Sequence, residues 1–177
     1  MPSIILTLIG ERVVGKLIEI FIVTDWKVIS VKGRYAESFT RNIGIFTQDE
    51  QDLLRRTTIA VAGVGGVGGL LVERLVRLGI GNIRLTDPGT FEISNINRQY
   101  GCTLGSDQLQ KAEVVCQAVR EINPEASIIC DNRGIISYQD AEKLVTGADL
   151  VIDEMDYGAW RESIYMQRAA RKQGIYY

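Results

Sequence analysis

The chain has 177 residues, 46% of them hydrophobic and 24% charged, a formal net charge of −2 and no histidine. These fractions are those of a globular domain long enough to bury one core, and the near-neutral balance offers no field for non-specific binding to nucleic acid or anionic membranes. The missing imidazole excludes His general bases, Ser-His-Asp and Cys-His nucleophile systems and every His-containing metal site.

In chain order, the apolar runs at residues 4–9 and 17–23 are far shorter than the roughly 20 residues of a membrane span. No basic region and no small-residue cleavage site accompany the first, so the expectation is a cytoplasmic protein without a membrane segment. Residues 1–37 stand apart as an Ile/Val/Leu-rich extension. Trp26 to Lys32 alternates loosely with a strand period, and two readings stay open: an appended hairpin, or a misplaced start codon. The regular pattern, and with it the main domain, occupies residues 38–177.

Thr47-Gln48-Asp49-Glu50 has capping-box spacing before Leu53 and Leu54, which predicts a short helix. Thr58–Ala62 is a short apolar run ending in glycines and reads as a buried strand. Leu71, Leu75 and Leu78 follow at i, i+4, i+7 on an amphipathic helix stopped by Gly79 and Gly81. Ile83–Thr86 is a second strand. A long polar connection, residues 88–107, comes next, and connections of that length are functional or disordered. A helix then runs from about Gln108 to Ile122 with Ala112, Val115, Val119 and Ile122 on one face. Ser127–Cys130 is a third strand, and Ser137–Asp140 caps a helix through Val145. Leu150–Asp153 is a fourth strand, Trp160–Gln173 a further helix, and Ile175–Tyr177 the opening of a fifth strand. Alternating strands and helices predict an α/β fold: a Rossmann-like, doubly wound, mostly parallel sheet with helices on both faces, incomplete at its C-terminus. Cys102, Cys116 and Cys130 are odd in number and form no C-x-x-C pair, so they are expected to be reduced thiols, with no zinc site in this chain.

Gly63-Val64-Gly65-Gly66-Val67-Gly68 has the G-x-G-x-x-G form between a predicted strand and a predicted helix, and Asp87 lies 19 residues beyond Gly68. The first glycine permits a tight turn, the second lets backbone approach a phosphate, and the third lets helix and strand pack closely. The helix N-terminus offers N–H groups and a positive dipole end to an anion, and Asp87 is placed to accept from ribose hydroxyls. This set predicts an adenine nucleotide without distinguishing NAD, FAD and ATP; the alternative is a turn kept for packing alone. In the long connection, Asn95-Ile96-Asn97-Arg98-Gln99 is rich in amides and carries a guanidinium, and Lys111 opens the next helix. Two cations beyond a glycine turn favour a triphosphate over a dinucleotide. Asp153-Glu154-Met155-Asp156 ends the fourth strand at the same sheet edge. Its carboxylates suit Mg²⁺ held jointly with phosphate oxygens, or else helix N-capping by Asp153 or Asp156.

Together these residues resemble the ThiF/MoeB/HesA superfamily, the E1-like adenylyltransferases that activate ubiquitin-like proteins. The resembling set is the glycine turn, Asp87, Ser94-Asn95-x-x-Arg98-Gln99, Lys111 and a strand ending Asp-x-x-Asp. Arg41-Asn42-Ile43 is similar to an Arg-Gln-Ile segment near the start of those proteins, and the likeness spans about residues 39–177. The resemblance implies that Gly63, Gly65, Gly66 and Gly68 form the ATP turn and that Asp87 holds the ribose. It implies that Asn95, Arg98 and Lys111, beside Gln99, meet the phosphates, that Asp156 holds Mg²⁺, and that Arg41 reaches the γ-phosphate of ATP in the partner subunit of a homodimer. The implied reaction joins the C-terminal glycine carboxylate of a ubiquitin-like or sulfur-carrier protein to AMP with loss of pyrophosphate. It needs no general base, because a carboxylate is ionised at neutral pH. The sequence departs from the usual pattern at Gly89, where a second acid is common, at Glu154-Met155 in place of Cys-Thr, and at Tyr157 in place of Asn. Residues 95–99 are also similar to the tRNA threonylcarbamoyladenosine dehydratases of the same superfamily, which activate a carboxylate on a tRNA base; the overall charge favours the protein-directed branch. The remaining alternatives are an NAD-dependent oxidoreductase, for which neither histidine nor a Tyr-x-x-x-Lys pair is present, and a non-catalytic nucleotide-binding module.

Overall fold

In the computed structural model, which describes residues 21–24, 27–30 and 33–177, four strands make one parallel sheet. The chain first forms an antiparallel pair, β1 (Phe21–Thr24) and β2 (Lys27–Ser30), with Phe21 opposite Ser30. The rest of the Trp26–Lys32 alternation, and of residues 1–32, lies outside the described residues. A single helical turn, α1 (Tyr35–Ser38), leads to α2 (Gln48–Arg56). The capping box that opens α2 is formed: Glu50 N–H donates to Thr47 Oγ1 at 3.3 Å and Thr47 N–H to the Glu50 carboxylate at 2.7 Å. Leu53 is exposed, and the buried residue is Gln51. Its amide accepts from Asn42 at 2.9 Å and donates to the Tyr35 hydroxyl at 2.9 Å, which itself donates to Gly79 O. These hydrogen bonds tie the segment to the end of the next helix, beside buried Tyr35 and Phe39 and the partly buried Leu54.

The main unit then runs β3 (Thr58–Ala62), α3 (Gly68–Leu78), β4 (Asn82–Thr86), α4 (Lys111–Ile122), β5 (Ser127–Asp131), α5 (Tyr138–Val145), β6 (Leu150–Asp153) and α6 (Trp160–Gln173). The sheet order is β5-β4-β3-β6, with Ala62 level with both Thr86 and Asp153. Strand order therefore reverses between β3 and β6, and their carboxyl ends open a crevice there, where sheets of this kind bind ligands. Ile59 to Ala62 is buried throughout, as a central strand covered on both faces must be. Ile175–Tyr177 adds one parallel bridge, Tyr176 with Leu150.

One core layer joins Val61, Ile83 and Leu85 to Val72 and Val76 of α3 and Val115, Cys116 and Val119 of α4. The other joins Ala60, Ala62 and Val151 to α5 and to Met166, Ala169 and Ala170 of α6. Each large apolar side chain so buried contributes about 1.5–3 kcal/mol. The Leu71/Leu75/Leu78 stripe predicted for α3 is only half-buried; Val72 and Val76 face the core instead. Gly69 lies on the same packed side of the helix. A Cβ there would stand 2.9 Å from Val64 O and 3.6 Å from Val115, so the bare Gly69 edge lies against the glycine turn and α4. Glu73, also buried, is neutralised by Arg77 one turn on and by Arg74 at 3.2 Å. Gly79 ends the helix at φ 105°, as predicted.

No helix among the described residues is long and apolar enough to cross a membrane. Cys102 and Cys116 are buried and Cys130 is half-buried, all as free thiols. Burial, and then the neighbouring Cys130 thiol, pushes the Cys116 thiol well above its ordinary pKa. Alkylation of the native protein is therefore expected to modify Cys130 first, and in urea all three thiols should react alike. Preferential loss of Cys116 in the native state, read by peptide mass, contradicts this packing.

Candidate active site

A cavity of about 770 Å³ lies at the carboxyl edge of the sheet, across the point where strand order reverses. Its floor is the glycine turn from β3 to α3. Gly63 has φ 89°, and a Cβ there would sit 2.4 Å from Glu154 O, on the loop that follows β6. A Cβ on Gly68 would stand 2.0 Å from Gly63 O. Gly68 thus holds the turn closed from behind and is not part of the cavity wall. Gly65 and Gly66 are, and a Cβ on Gly65 would meet nothing within 4 Å. The exposed backbone of the turn faces open space, and α3 begins with no side-chain cap on its N–H groups, which is the arrangement that receives an anion.

Asp87 follows β4. One carboxylate oxygen accepts from Val64 N–H at 2.8 Å and the other from Gly89 N–H at 2.7 Å. The residue assigned to ribose therefore also ties the glycine turn to the adjacent strand, with lone pairs left over for a ligand. Gly89, the departure from the acid common at this position, packs closely here. A Cβ there would press within 3.0 Å of Asp87 Oδ1 and 3.5 Å of the Lys111 side chain. Replacing Asp87 by Ala is expected to lower stability without nucleotide by about 2 kcal/mol, because two backbone donors lose their acceptor. Urea denaturation checks this; an unchanged midpoint would mean the carboxylate does not hold the turn.

The long connection is ordered, pinned by fully buried Phe91 and by a bridge between Thr90 and Gln110. Because Gln108 has φ 63°, α4 begins at Lys111 and not at Gln108 as predicted. Asn95 is buried and stays out of the cavity wall. Its Oδ1 accepts from Glu92 N–H at 3.2 Å, and its carbonyl accepts from the N–H groups of Arg98 and Gln99. It shapes the turn that presents those two. Arg98 lies over Gly66 and is steadied by Asn97 Oδ1 at 2.9 Å. Gln99 lines the cavity while its buried Oε1 has no hydrogen-bond partner, an acceptor that a ligand donor or water would satisfy. Lys111 stands on the same wall at the first position of α4, where the helix dipole disfavours a cation. An anion in the cavity relieves that conflict.

At the end of β6, Asp153 turns away from the cavity. It accepts from Met155 N–H at 3.0 Å and from the Tyr177 hydroxyl at 2.6 Å. Burial, reinforced by that carboxylate, pushes Tyr177 up to about 12. Asp156 is exposed, lines the cavity and makes no capping bond. Among the described residues no three acids, cysteines or histidines cluster as a metal cage. Mg²⁺ asks only one or two carboxylates when phosphate oxygens supply the rest, so Asp156 fits a phosphate-borne ion.

Arg41 lies elsewhere. Its neighbour Asn42 donates to Leu78 O at 3.1 Å, at the far end of α3 from the glycine turn. The 11 residues of α3 rise ~16 Å between the two. The cavity also gathers residues that sequence reasoning did not single out: Pro88, Gly134 and Ile135 on one side, Glu162 of α6 on another. The only local signal for Gly134 is a polar turn after β5; its importance depends on that strand ending beside β4.

The model of the ThiF family matches residues 39–177. The tRNA threonylcarbamoyladenosine dehydratase of Haemophilus influenzae is 38% identical over 112 residues, covering 63% of this chain and 43% of that enzyme. Ubiquitin-like modifier-activating enzyme 5 of Culex quinquefasciatus is 33% identical over 105 residues, 59% of this chain and 26% of the other. The Escherichia coli tRNA N6-threonylcarbamoyladenosine dehydratase, crystallised with ATP, superposes with a TM-score of 0.76 at 27% identity over 84% of this chain and 60% of that one. The chain thus spans about half the length of the curated dehydratases it matches. With the parallel sheet, the glycine turn and the cationic wall arranged as described, this chain belongs to the ThiF family.

Proposed function

We propose that this protein activates a carboxylate with ATP, forming an acyl-adenylate and pyrophosphate. The observation that carries the reading is the placement of Arg98 and Lys111 on the wall facing the glycine turn, two cations beyond what a dinucleotide's pyrophosphate needs. The bare backbone at Gly65 and Gly66 takes the phosphates, and Asp87 takes the ribose. A carboxylate oxygen attacks the α-phosphorus; the bond from that phosphorus to the bridging oxygen breaks, and its electron pair leaves on pyrophosphate. The nucleophile arrives ionised, so positioning and charge neutralisation by Arg98 and Lys111 carry the step. Mg²⁺, held by Asp156 together with phosphate oxygens, supplies further neutralisation when bound. Arg41, remote from its own cavity, serves the cavity of a second copy in a homodimer.

Two carboxylates suit this chemistry: the C-terminal glycine of a ubiquitin-like or sulfur-carrier protein, and the threonylcarbamoyl group of a modified adenosine in tRNA. The likeness to the dehydratases, in sequence and in fold, favours the second. Pyrophosphate–ATP exchange tests both. The probes are an anticodon stem-loop bearing threonylcarbamoyladenosine and a peptide ending in Gly-Gly. Exchange that depends on either supports adenylation, and the more active probe names the carboxylate. No exchange with either, from a protein that binds ATP, contradicts the reading and leaves a nucleotide-binding module.

A further inference from the structure

Charge is unevenly spread over this chain. Its net charge is −2, yet α6 carries Arg161, Arg168, Arg171 and Lys172 against the single acid Glu162. The buried side of α6 is Met166, Ala169 and Ala170, and all four cations lie on the exposed side. At 3.6 residues per turn Arg161, Arg168 and Arg171 fall within about 80° of arc, a stripe along the helix. Lys172 is held by Glu142 at 2.8 Å, whereas none of the three arginines makes an ion pair with a described residue. The helix dipole accounts for cations in the last turn but opposes Arg161 in the first. Arg161 instead lies over the Trp160 ring at 5.9 Å. There the stripe meets the cavity: Tyr157 and Glu162 line it, Tyr157 is 100% exposed and Trp160 62%.

A row of arginines without ion pairs among the described residues, ending at two exposed aromatic side chains at a cavity mouth, matches single-stranded nucleic acid, whose phosphates take guanidinium and whose splayed bases stack on rings. We propose that the outer face of α6 is a docking track for the phosphate backbone of an unpaired RNA segment, and that Tyr157 and Trp160 stack the bases flanking the one delivered to the cavity. The proposal rests on the adenylation reading and names RNA as the carrier of the carboxylate.

The test is binding of a fluorescent anticodon stem-loop RNA to the full chain across 50–200 mM salt. It compares wild type with the triple variant Arg161→Ala, Arg168→Ala, Arg171→Ala, and with the same three positions changed to Lys. These are exposed helical positions where Ala and Lys keep helix propensity. The Ala variant should lose about tenfold or more in RNA affinity, and the slope of log K against log salt should shrink by about 2, as three phosphate contacts on a single strand require. The Lys variant should restore the slope, and ATP affinity should be unchanged in all three. RNA affinity and slope unaltered in the Ala variant overturn the proposal. So does a wild type that binds polyglutamate more tightly than RNA through the same residues, which would make the stripe a surface for an acidic protein. Failure of the adenylation reading shows separately, as arginine-dependent RNA binding by a protein that does not bind ATP.

Discussion

Replacing Lys111 or Arg98 by Ala is expected to lower kcat/KM for pyrophosphate–ATP exchange by on the order of 100- to 1,000-fold each, the usual loss for one preorganised electrostatic contact to a developing charge. Both side chains line the cavity, and neither is paired with a carboxylate among the described residues. Their removal costs the apo fold little. For Lys111 the sign is favourable, because a cation at a helix N-terminus opposes the dipole. The expected pattern is therefore a collapsed rate with an unchanged or slightly raised melting temperature. Lys111→Arg should recover part of the rate, since charge returns while the geometry differs. A melting temperature that falls with the rate would mean these cations hold the fold, and the phosphate assignment would fail.

The second large effect separates two glycines of one motif. Gly68→Ala forces a Cβ to within 2.0 Å of Gly63 O and 3.1 Å of Glu154 Cβ. Backbone must move, and a loss of about 3 kcal/mol or more is expected, with nucleotide binding lost along with the turn. Gly65→Ala meets nothing within 4 Å, and its stability should stay within about 0.5 kcal/mol of wild type. Its ATP affinity should still fall by about tenfold or more, the equivalent of one lost backbone-to-phosphate hydrogen bond at about 1.5–3 kcal/mol. Urea denaturation and calorimetric ATP titration of the two variants measure both quantities. Equal stability losses would show that the turn is kept for packing alone.

What the sequence revealed was mostly local chemistry. Thr47 with Glu50, and Ser137 with Asp140, announce their helices because a capping box needs only four consecutive residues. The glycine turn, Asp87, Arg98, Gln99 and Lys111 could be assigned to one site because a parallel βαβ unit brings the ends of adjacent strands together. What could not be read depended on packing. The buried face of α3 is Val72 and Val76, packed with β3, β4 and α4, and the leucine spacing alone does not pick it out. Asn95, for which the resemblance implies a phosphate contact, has its amide oxygen engaged by its own turn. From the residues alone Asp153 and Asp156 are equivalent carboxylates, and the family resemblance is what points to Asp156. In the fold Asp153 accepts from Met155 N–H and from the Tyr177 hydroxyl, while Asp156 lines the cavity. Gly134 and Ile135 join the site solely because β5 lies next to β4.

The central claim is that the α-phosphorus of ATP is joined to a carboxylate oxygen, and isotope transfer tests it most directly. An anticodon stem-loop whose threonylcarbamoyl carboxylate carries ¹⁸O, turned over with ATP, should yield AMP containing one ¹⁸O, because the bridging oxygen of the acyl-adenylate leaves with the nucleotide. The same outcome is expected from a ¹⁸O-labelled Gly-Gly terminus if the carboxylate belongs to a protein. Label recovered in inorganic phosphate alongside ADP would place the attack at the γ-phosphorus and contradict the account.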